Sequence, residues 1–225
     1  MQRLNMKRLL IFSNKKNIYQ SVNFVILIIV IIISYSFDLI EYNDVEDINF
    51  EELSISENIN YPIIPNELHP IIIKVIDGQY NQLKKMGYTV NRIRNNEAIQ
   101  LTISIDDLFE SNSYSKIKDS GITFLMPILK YLKVKQLYRI IISCHHDKSI
   151  TETEADFITK ERVLTLSDWF SSQSHNAHNV IAYYMGNEYP LVSDLTSKGR
   201  KRNRRLEIFL IPGKTMIELA RENKL

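Results

Sequence analysis

The sequence contains little cysteine, and long stretches of it lack charge of one sign. One cysteine among 225 residues excludes an intramolecular disulfide, so cystine bridges cannot hold the fold together. No Lys or Arg occurs from Asn17 to Ile73, and no Asp or Glu occurs in residues 1–16, where Lys and Arg are frequent. A net charge of only +2 gives no indication of nucleic-acid binding, and a hydrophobic fraction of 44% is sufficient for one folded domain with appendages.

An uncharged, strongly apolar run separates the basic start of the chain from the acidic stretch that follows. The run extends over the 21 residues 17–37, and at about 1.5 Å per residue a helix of this length spans roughly the 30 Å of a bilayer core. We predict a cytoplasmic lead (residues 1–20) and a single transmembrane helix (residues 21–37), with the rest of the chain outside the cytoplasm. A cleaved signal peptide is the alternative, because Ser34 and Ser36 are small residues that flank one position.

The segments that follow the apolar run differ in their patterns. Residues 38–65 are acidic, rich in Asn and interrupted by Pro62 and Pro65, which predicts an extended linker. Residues 66–97 predict a helix that ends near Gly87 and the start of a β-hairpin that turns at Asn95 and Asn96.

Strands and helices then alternate in a pattern that predicts one α/β domain over residues 98–212. Apolar residues at helical spacing predict a helix with Thr159, Val163, Leu166 and Phe170 on its inner face. Residues 137–143, 179–185 and 204–211 predict strands. Pro127 lies within another helical pattern, so that helix starts late or kinks there. Residues 213–225 predict a short helix or a frayed tail.

The stretch Ser143–Asp147 places a thiol, two imidazoles and a carboxylate next to one another in sequence. Neighbouring residues of a strand point to opposite faces of the sheet, so these side chains cannot all reach one ion. The other histidines show no ligand spacing, and a structural zinc site needs about four converging ligands. We therefore predict no metal and no other cofactor, and we interpret Cys144 as a buried thiol at a strand end.

The closing segment of the chain resembles the final signature of OmpA-like, peptidoglycan-binding C-terminal domains. The matching positions are Gly186, Pro190, Gly199, Arg200, Asn203, Arg204, Arg205 and Glu207. The strand end Cys144–Asp147 is similar to the family's Gly-His-Thr-Asp motif, and Arg162 falls where the family places a helical arginine. Phe109–Ser111 stands where the family has a Phe, an acidic residue and small polar residues. The resemblance covers residues 98–212.

The resemblance implies an α/β (α+β) two-layer sandwich, in which helices pack on one face of a mixed sheet. It also implies non-covalent binding of the meso-diaminopimelate in peptidoglycan stem peptides. Asp147 matches the carboxylate that takes the ligand's ammonium, and Arg162 matches the guanidinium that takes the ligand's carboxylate in a bidentate fork. We expect Asn112 and Tyr114 to supply an adjacent wall. The resemblance assigns structural roles to Asn203, Arg204 and Arg205.

Several positions depart from the family pattern. Cys144 replaces a Gly, His146 replaces a Thr, and Ala155 stands where the family often has an Asn. These changes surround the two charged positions, which are kept. An alternative interpretation is therefore a degenerate OmpA-like domain that acts as a protein-interaction or envelope-integrity module without binding the wall.

The resemblance and the apolar run together predict a non-enzymatic anchor in the bacterial inner membrane, with its C-terminal domain bound to peptidoglycan in the periplasm. No Asp or Glu lies in residues 17–37, so a proton-conducting stator of the MotB type is not expected. An accessory wall anchor for an envelope complex such as a type VI secretion system is the more specific hypothesis. A cell-wall hydrolase that uses His145 or His146 is an alternative of a different class. The basic run Lys198–Arg205 is interpreted as a solvated loop with family arginines, so no nucleic-acid partner is predicted.

Overall fold

A computed structural model describes residues 52–111, 113–176 and 180–225. The predicted cytoplasmic lead and transmembrane helix (residues 1–37) lie outside the described residues, as does the first half of the predicted linker (residues 38–51). Within these three ranges, no helix combines the length and the apolar character needed to cross a bilayer.

The described residues form five strands and seven α-helices, with two short 3-10 helices. The strands are β1 (Thr89–Ile93), β2 (Ala98–Ser104), β3 (Tyr138–His145), β4 (Val180–Tyr184) and β5 (Arg205–Pro212). The α-helices are α1 (Ile55–Asn60), α2 (His69–Lys85), α3 (Ile105–Leu108), α4 (Asp119–Leu125), α5 (Glu152–Gln173), α6 (Ser197–Asn203) and α7 (Lys214–Arg221). The 3-10 helices are Asn66–Leu68 and Met126–Leu132. The second of them contains Pro127 immediately after α4, in agreement with the predicted interruption.

The strands form one mixed sheet in the order β1-β2-β5-β3-β4. Only β3 and β4 are parallel, and α5 connects them. The other neighbours are antiparallel. The predicted hairpin is present as β1 and β2, and Arg94, Asn95 and Asn96 have positive φ at its turn. Because β3 and β5 are central strands, their residues are buried on both faces.

The main hydrophobic core lies on the face of the sheet that the longer helices cover. Alternate strand residues point into it, among them Leu101, Ile140, Ile142, Ile208 and Leu210. The predicted inner stripe of α5 is confirmed, since Thr159, Val163, Leu166 and Phe170 are all buried. A capping box at Thr151 and Glu154 defines where α5 begins.

The opposite face of the sheet carries a second, smaller core, which corrects the prediction that helices lie on one face only. Ala98, Ile141, Phe209 and Ile211 form this core. Ile55 and Ile59 of α1 pack against it, so residues 52–65 belong to the domain and not to an extended linker. The acidic residues and the two prolines of this segment suggested a linker, but two isoleucines one helical turn apart are sufficient to cover so small a patch.

Buried arginines fix the segment before α2 to the sheet. Arg139 on β3 donates to the carbonyl oxygen of Tyr61 at 2.8 Å and to the side-chain oxygen of Asn58. Arg94 donates to the carbonyl oxygen of Pro62 at 2.7 Å. Carbonyl groups that would lack partners in an isolated segment are thus satisfied by the domain.

The C-terminal residues 213–225 contain helix α7 and belong to the same domain. Met216, Ile217 and Ala220 of this helix are buried in the main core. At its start, the amide of Gly213 donates to the carbonyl oxygen of Leu137 at 3.0 Å.

Candidate functional site

Asp147 lies directly after β3, at the strand end that the sequence indicated. Its side chain has 0% exposure. One carboxylate oxygen accepts a hydrogen bond from the amide of Ser149 at 2.7 Å, and the other accepts from the guanidinium of Arg204. Burial raises the pKa of Asp147, but the hydrogen bonds from Ser149 and Arg204 outweigh it and hold the pKa below its ordinary value. Asp147 is therefore an ionised, fully partnered carboxylate.

Arg204 joins Asp147 to a second carboxylate, Asp106, which the sequence analysis did not identify. Nε and Nη2 of Arg204 donate to the two oxygens of Asp106 at 3.0 and 2.8 Å, a bidentate geometry. The hydrogen bond from Arg204 lowers the pKa of Asp106. The same contact raises the pKa of Arg204. The resemblance gave Arg204 a structural role only, but its position places it within the site.

Arg162 projects from α5 into the same region and lacks such partners. The residue is 8% exposed, and its Nε and Nη1 atoms are buried with no hydrogen-bond partner within the described ranges. Its guanidinium carbon lies 5.7 Å from the ring centroid of Phe109 and 5.8 Å from that of Tyr114. Burial lowers its pKa, which is the direction expected for a cation without sufficient compensation.

The two carboxylates and two guanidinium groups of the site have a net charge of zero, but both carboxylates are paired with the same guanidinium. Arg204 uses the carboxylates of both Asp106 and Asp147, while Nε and Nη1 of Arg162 find no hydrogen-bond partner among the described residues. A buried polar group without a partner costs about 1–3 kcal/mol, and more when it is charged. An added carboxylate would satisfy Arg162, and an ammonium on the same ligand would preserve neutrality by sharing the acidic side chains.

A partly exposed aromatic ring borders Arg162 and contacts a second exposed ring. Tyr114 is 44% exposed and Phe157 is 56% exposed. The rings meet edge to face with centroids 6.4 Å apart. Tyr114 thus lies beside Arg162, as the sequence analysis expected, whereas Asn112 is outside the described residues. Phe157 was missed, although an aromatic residue outside the buried stripe of α5 is a signal that the sequence contained.

Asn203 organises the loop that precedes α6. Its side-chain oxygen accepts from the amides of Leu191 and Val192 at 2.9 and 3.1 Å. Its amide nitrogen donates to the carbonyl oxygen of Val192 and to the carboxylate of Asp194. The residue is fully buried, and its side chain supplies hydrogen-bond partners to backbone groups of the loop.

We expect Asn203→Ala to lower the free energy of unfolding by roughly 2–3 kcal/mol, because it removes both the acceptor of two loop amides and the donor to Val192 and Asp194. Asn187→Ala is the matched control, since Asn187 makes a single 3.2 Å bond to the carbonyl oxygen of Ile150. Urea denaturation of both variants measures the difference. Equal losses in the two variants would show that Asn203 does not organise the loop.

The cluster Cys144-His145-His146 separates onto different faces of the sheet. Cys144 is a free thiol in the main core, where burial raises its pKa to about 12, which confirms its interpretation as a buried thiol. The amide of His146 donates to the carbonyl oxygen of Gly186 at 2.6 Å. In the part of the chain that the structure describes, no group of His, Cys, Asp and Glu side chains is arranged to hold a metal ion.

His145 lies on the opposite face of the sheet, in a buried polar cluster. Its Nε2 atom is 3.4 Å from the carboxylate of Glu207 and 3.1 Å from the hydroxyl of Ser143. Arg205 donates to the other oxygen of Glu207 at 2.7 Å. Burial lowers the pKa of His145. Arg205, for which the resemblance implied a structural role, and His145 are both buried in this cluster.

Comparison with known proteins supports the architecture. No family model and no curated protein matches the sequence. A putative MotB-like protein from Desulfovibrio vulgaris is similar in structure with a TM-score of 0.55 and 16% identity, covering 64% of this chain and 99% of that one. The cell wall anchor of the type VI secretion system from Pseudomonas aeruginosa aligns with a TM-score of 0.48 and 22% identity, covering 59% and 92% of the two chains.

The MotB-like protein from Desulfovibrio vulgaris has the higher TM-score of the two structures and supports the fold. It aligns over nearly its whole length with a mixed sheet and the helices that pack on it. The fold that the resemblance implied is thereby confirmed for the described part of the chain.

Proposed function

We propose that the chain is a non-enzymatic anchor that binds peptidoglycan through the free amino-acid end of meso-diaminopimelate. The observation that carries this proposal is Arg162, a buried guanidinium that lies beside the partly exposed ring of Tyr114 and whose Nε and Nη1 atoms have no hydrogen-bond partner in the described part of the chain. A ligand carboxylate supplies the acceptor that these groups lack, in the bidentate geometry that guanidinium favours.

The ligand's ammonium is assigned to the acidic side of the site. Asp147 remains the proposed primary acceptor, with Asp106 joined to it through Arg204. Because Asp147 has no exposed surface, binding requires Arg204 to move away from it and to keep its bidentate contact with Asp106. Asn112 and Tyr114 are proposed to form the adjacent wall.

The domain organisation extends the proposal to the whole protein. The uncharged run at residues 17–37 is proposed to anchor the chain in the inner membrane, and the OmpA-like domain to bind the wall in the periplasm. Together they tether an envelope complex to peptidoglycan, and an accessory role in a type VI-like secretion system is the specific version of this hypothesis.

A second candidate is a degenerate domain that binds proteins and not the wall. The specific observation in its favour is that Arg204 already occupies the carboxylate of Asp147. The hydrolase alternative has less support, because the imidazoles of His145 and His146 are both buried and engaged in internal contacts.

Sedimentation with purified cell walls tests the proposal. We expect the full-length chain, solubilised in detergent, to sediment with diaminopimelate-type peptidoglycan and to remain in solution with lysine-type peptidoglycan. Lysine carries the ammonium without the carboxylate and leaves Arg162 unpartnered. Failure to sediment with either wall would favour the degenerate domain, and equal sedimentation with both would exclude the assigned role of Arg162.

A further inference from the structure

Tyr114 and Phe157 form an aromatic pair at the surface of the domain. Both rings are about half exposed, and they contact each other edge to face at 6.4 Å. Tyr114 comes from the segment after α3, whereas Phe157 comes from the first turns of α5. Two elements distant in sequence thus place large apolar rings together at the surface.

The position of this pair relative to Arg162 points to a ligand. The Tyr114 ring lies 5.8 Å from the guanidinium carbon of Arg162, which is more than nine-tenths buried and has unpartnered Nε and Nη1 atoms. Phe157 precedes Arg162 on the same helix, closer to the solvent. A molecule whose carboxylate reaches Arg162 therefore comes next to the ring of Tyr114, which in turn contacts the ring of Phe157.

We propose that Tyr114 and Phe157 form an aromatic wall that packs against the aliphatic chain of the bound amino acid. The site then selects a long methylene chain behind the carboxylate and ammonium, not an amino-acid head group alone. This inference rests on the proposed function and deepens it. Diaminopimelate fits, because three methylene groups separate its free end from the peptide backbone of the stem.

The physical basis is burial of methylene groups against ring faces. Each methylene removed from water favours binding about fourfold, so three of them favour a chain-bearing ligand by an order of magnitude or more. The exposed rings also lose contact with water when the chain covers them. Charge recognition by Arg162 and chain recognition by the wall are separate contributions and can be measured separately.

Titrations of the full-length chain with meso-diaminopimelate and with alanine, followed by ligand-observed NMR, test this inference. Alanine has the same carboxylate and ammonium without the long chain. We expect the parent to bind meso-diaminopimelate at least tenfold more tightly than alanine. Phe157→Ala should weaken diaminopimelate binding about tenfold and change alanine binding little, whereas Phe157→Leu should retain most of the affinity.

Leu164→Ala is the matched control, because Leu164 is a 49% exposed apolar residue on the same helix, and it should bind like the parent. The inference is overturned if Phe157→Ala binds diaminopimelate like the parent, or if it weakens both ligands equally. A parent that binds alanine and diaminopimelate equally also overturns it but leaves the wall-binding role in place. A parent that binds neither ligand contradicts the proposed function as well.

Discussion

Replacing Arg162 by Met is expected to abolish binding to diaminopimelate-type peptidoglycan without lowering the free energy of unfolding. Binding is lost because removal of one partner of a desolvated charged contact costs about 2–5 kcal/mol. Stability is retained because the buried guanidinium has unpartnered N–H groups in the free protein, and replacement of such a group by an apolar side chain of similar size is neutral or stabilising. Met also keeps contact with the rings of Phe109 and Tyr114.

Arg204→Met provides the contrast for this experiment. Arg204 is paired with both Asp106 and Asp147, so its removal leaves a fully buried carboxylate without its partner. Breaking a buried pair in this way costs roughly 3 kcal/mol or more. Urea denaturation without ligand should therefore separate the two variants clearly. If Arg162→Met loses as much stability as Arg204→Met, Arg162 stabilises the fold and is not a residue kept unpaired for ligand binding.

Acid is expected to destabilise the domain through Glu207, on the face of the sheet opposite the main core. Burial raises the pKa of Glu207, but the contacts with His145 and Arg205 outweigh it and lower the pKa from 4.5 to about 2. A carboxyl group with a depressed pKa in the folded state stabilises the fold above its unfolded pKa, and this contribution is lost as pH falls towards the folded pKa. The lowering corresponds to ~3 kcal/mol, present above about pH 4.5 and absent near pH 2.

Glu207→Gln isolates this contribution. At pH 7 the variant should be less stable than the parent by ~3 kcal/mol, because Arg205 loses its charged partner. The difference between the two proteins should shrink towards zero as pH falls to about 2. His145 also makes the folded state less stable at acid pH. Burial lowers the pKa of His145, so its protonation at acid pH opposes folding.

Glu188→Gln, on the exposed loop after β4, is the matched control and should follow the parent at every pH. Urea midpoints measured from pH 7 to pH 2 supply the comparison. A constant difference between the parent and Glu207→Gln over that range would mean that the pKa of Glu207 is not depressed.

Much of the fold could be predicted from periodicity. The helical spacing of Val163, Leu166 and Phe170 predicted α5, and the alternation around Asn95 and Asn96 predicted the hairpin. Both patterns reflect local geometry, since one face of each element must be buried. The strand order could not be predicted from these patterns, because it depends on pairings such as Leu101 with Ile208 across a large sequence separation.

The segment before α2 shows why composition was misleading. Residues 52–65 contain two glutamates, no basic residue and two prolines, which is typical of a linker. Their order comes from tertiary contacts, with Ile59 on the second core and Arg139 bound to the carbonyl oxygen of Tyr61. Nothing in the local sequence indicates that an arginine on a distant strand supplies the donors.

The sequence motifs indicated two residues of the candidate site but not the ion pairs that these residues form. The strand-end motif located Asp147 and the helical motif located Arg162, because each motif belongs to one element. The contact that the structure shows joins Asp147 to Arg204 and then to Asp106. That network brings together three segments of the chain, and one sequence alone contains no signal for such a convergence.

The most direct test of wall binding is a crystal structure of the domain with a diaminopimelate-containing stem-peptide fragment. We predict that the free carboxylate of the fragment lies within hydrogen-bond distance of Nε or Nη1 of Arg162, with its ammonium next to Asp147 or Asp106. We also predict that the aliphatic chain of the fragment lies against Tyr114 and Phe157. A fragment bound elsewhere, with Arg162 still unpartnered, would contradict the proposed function.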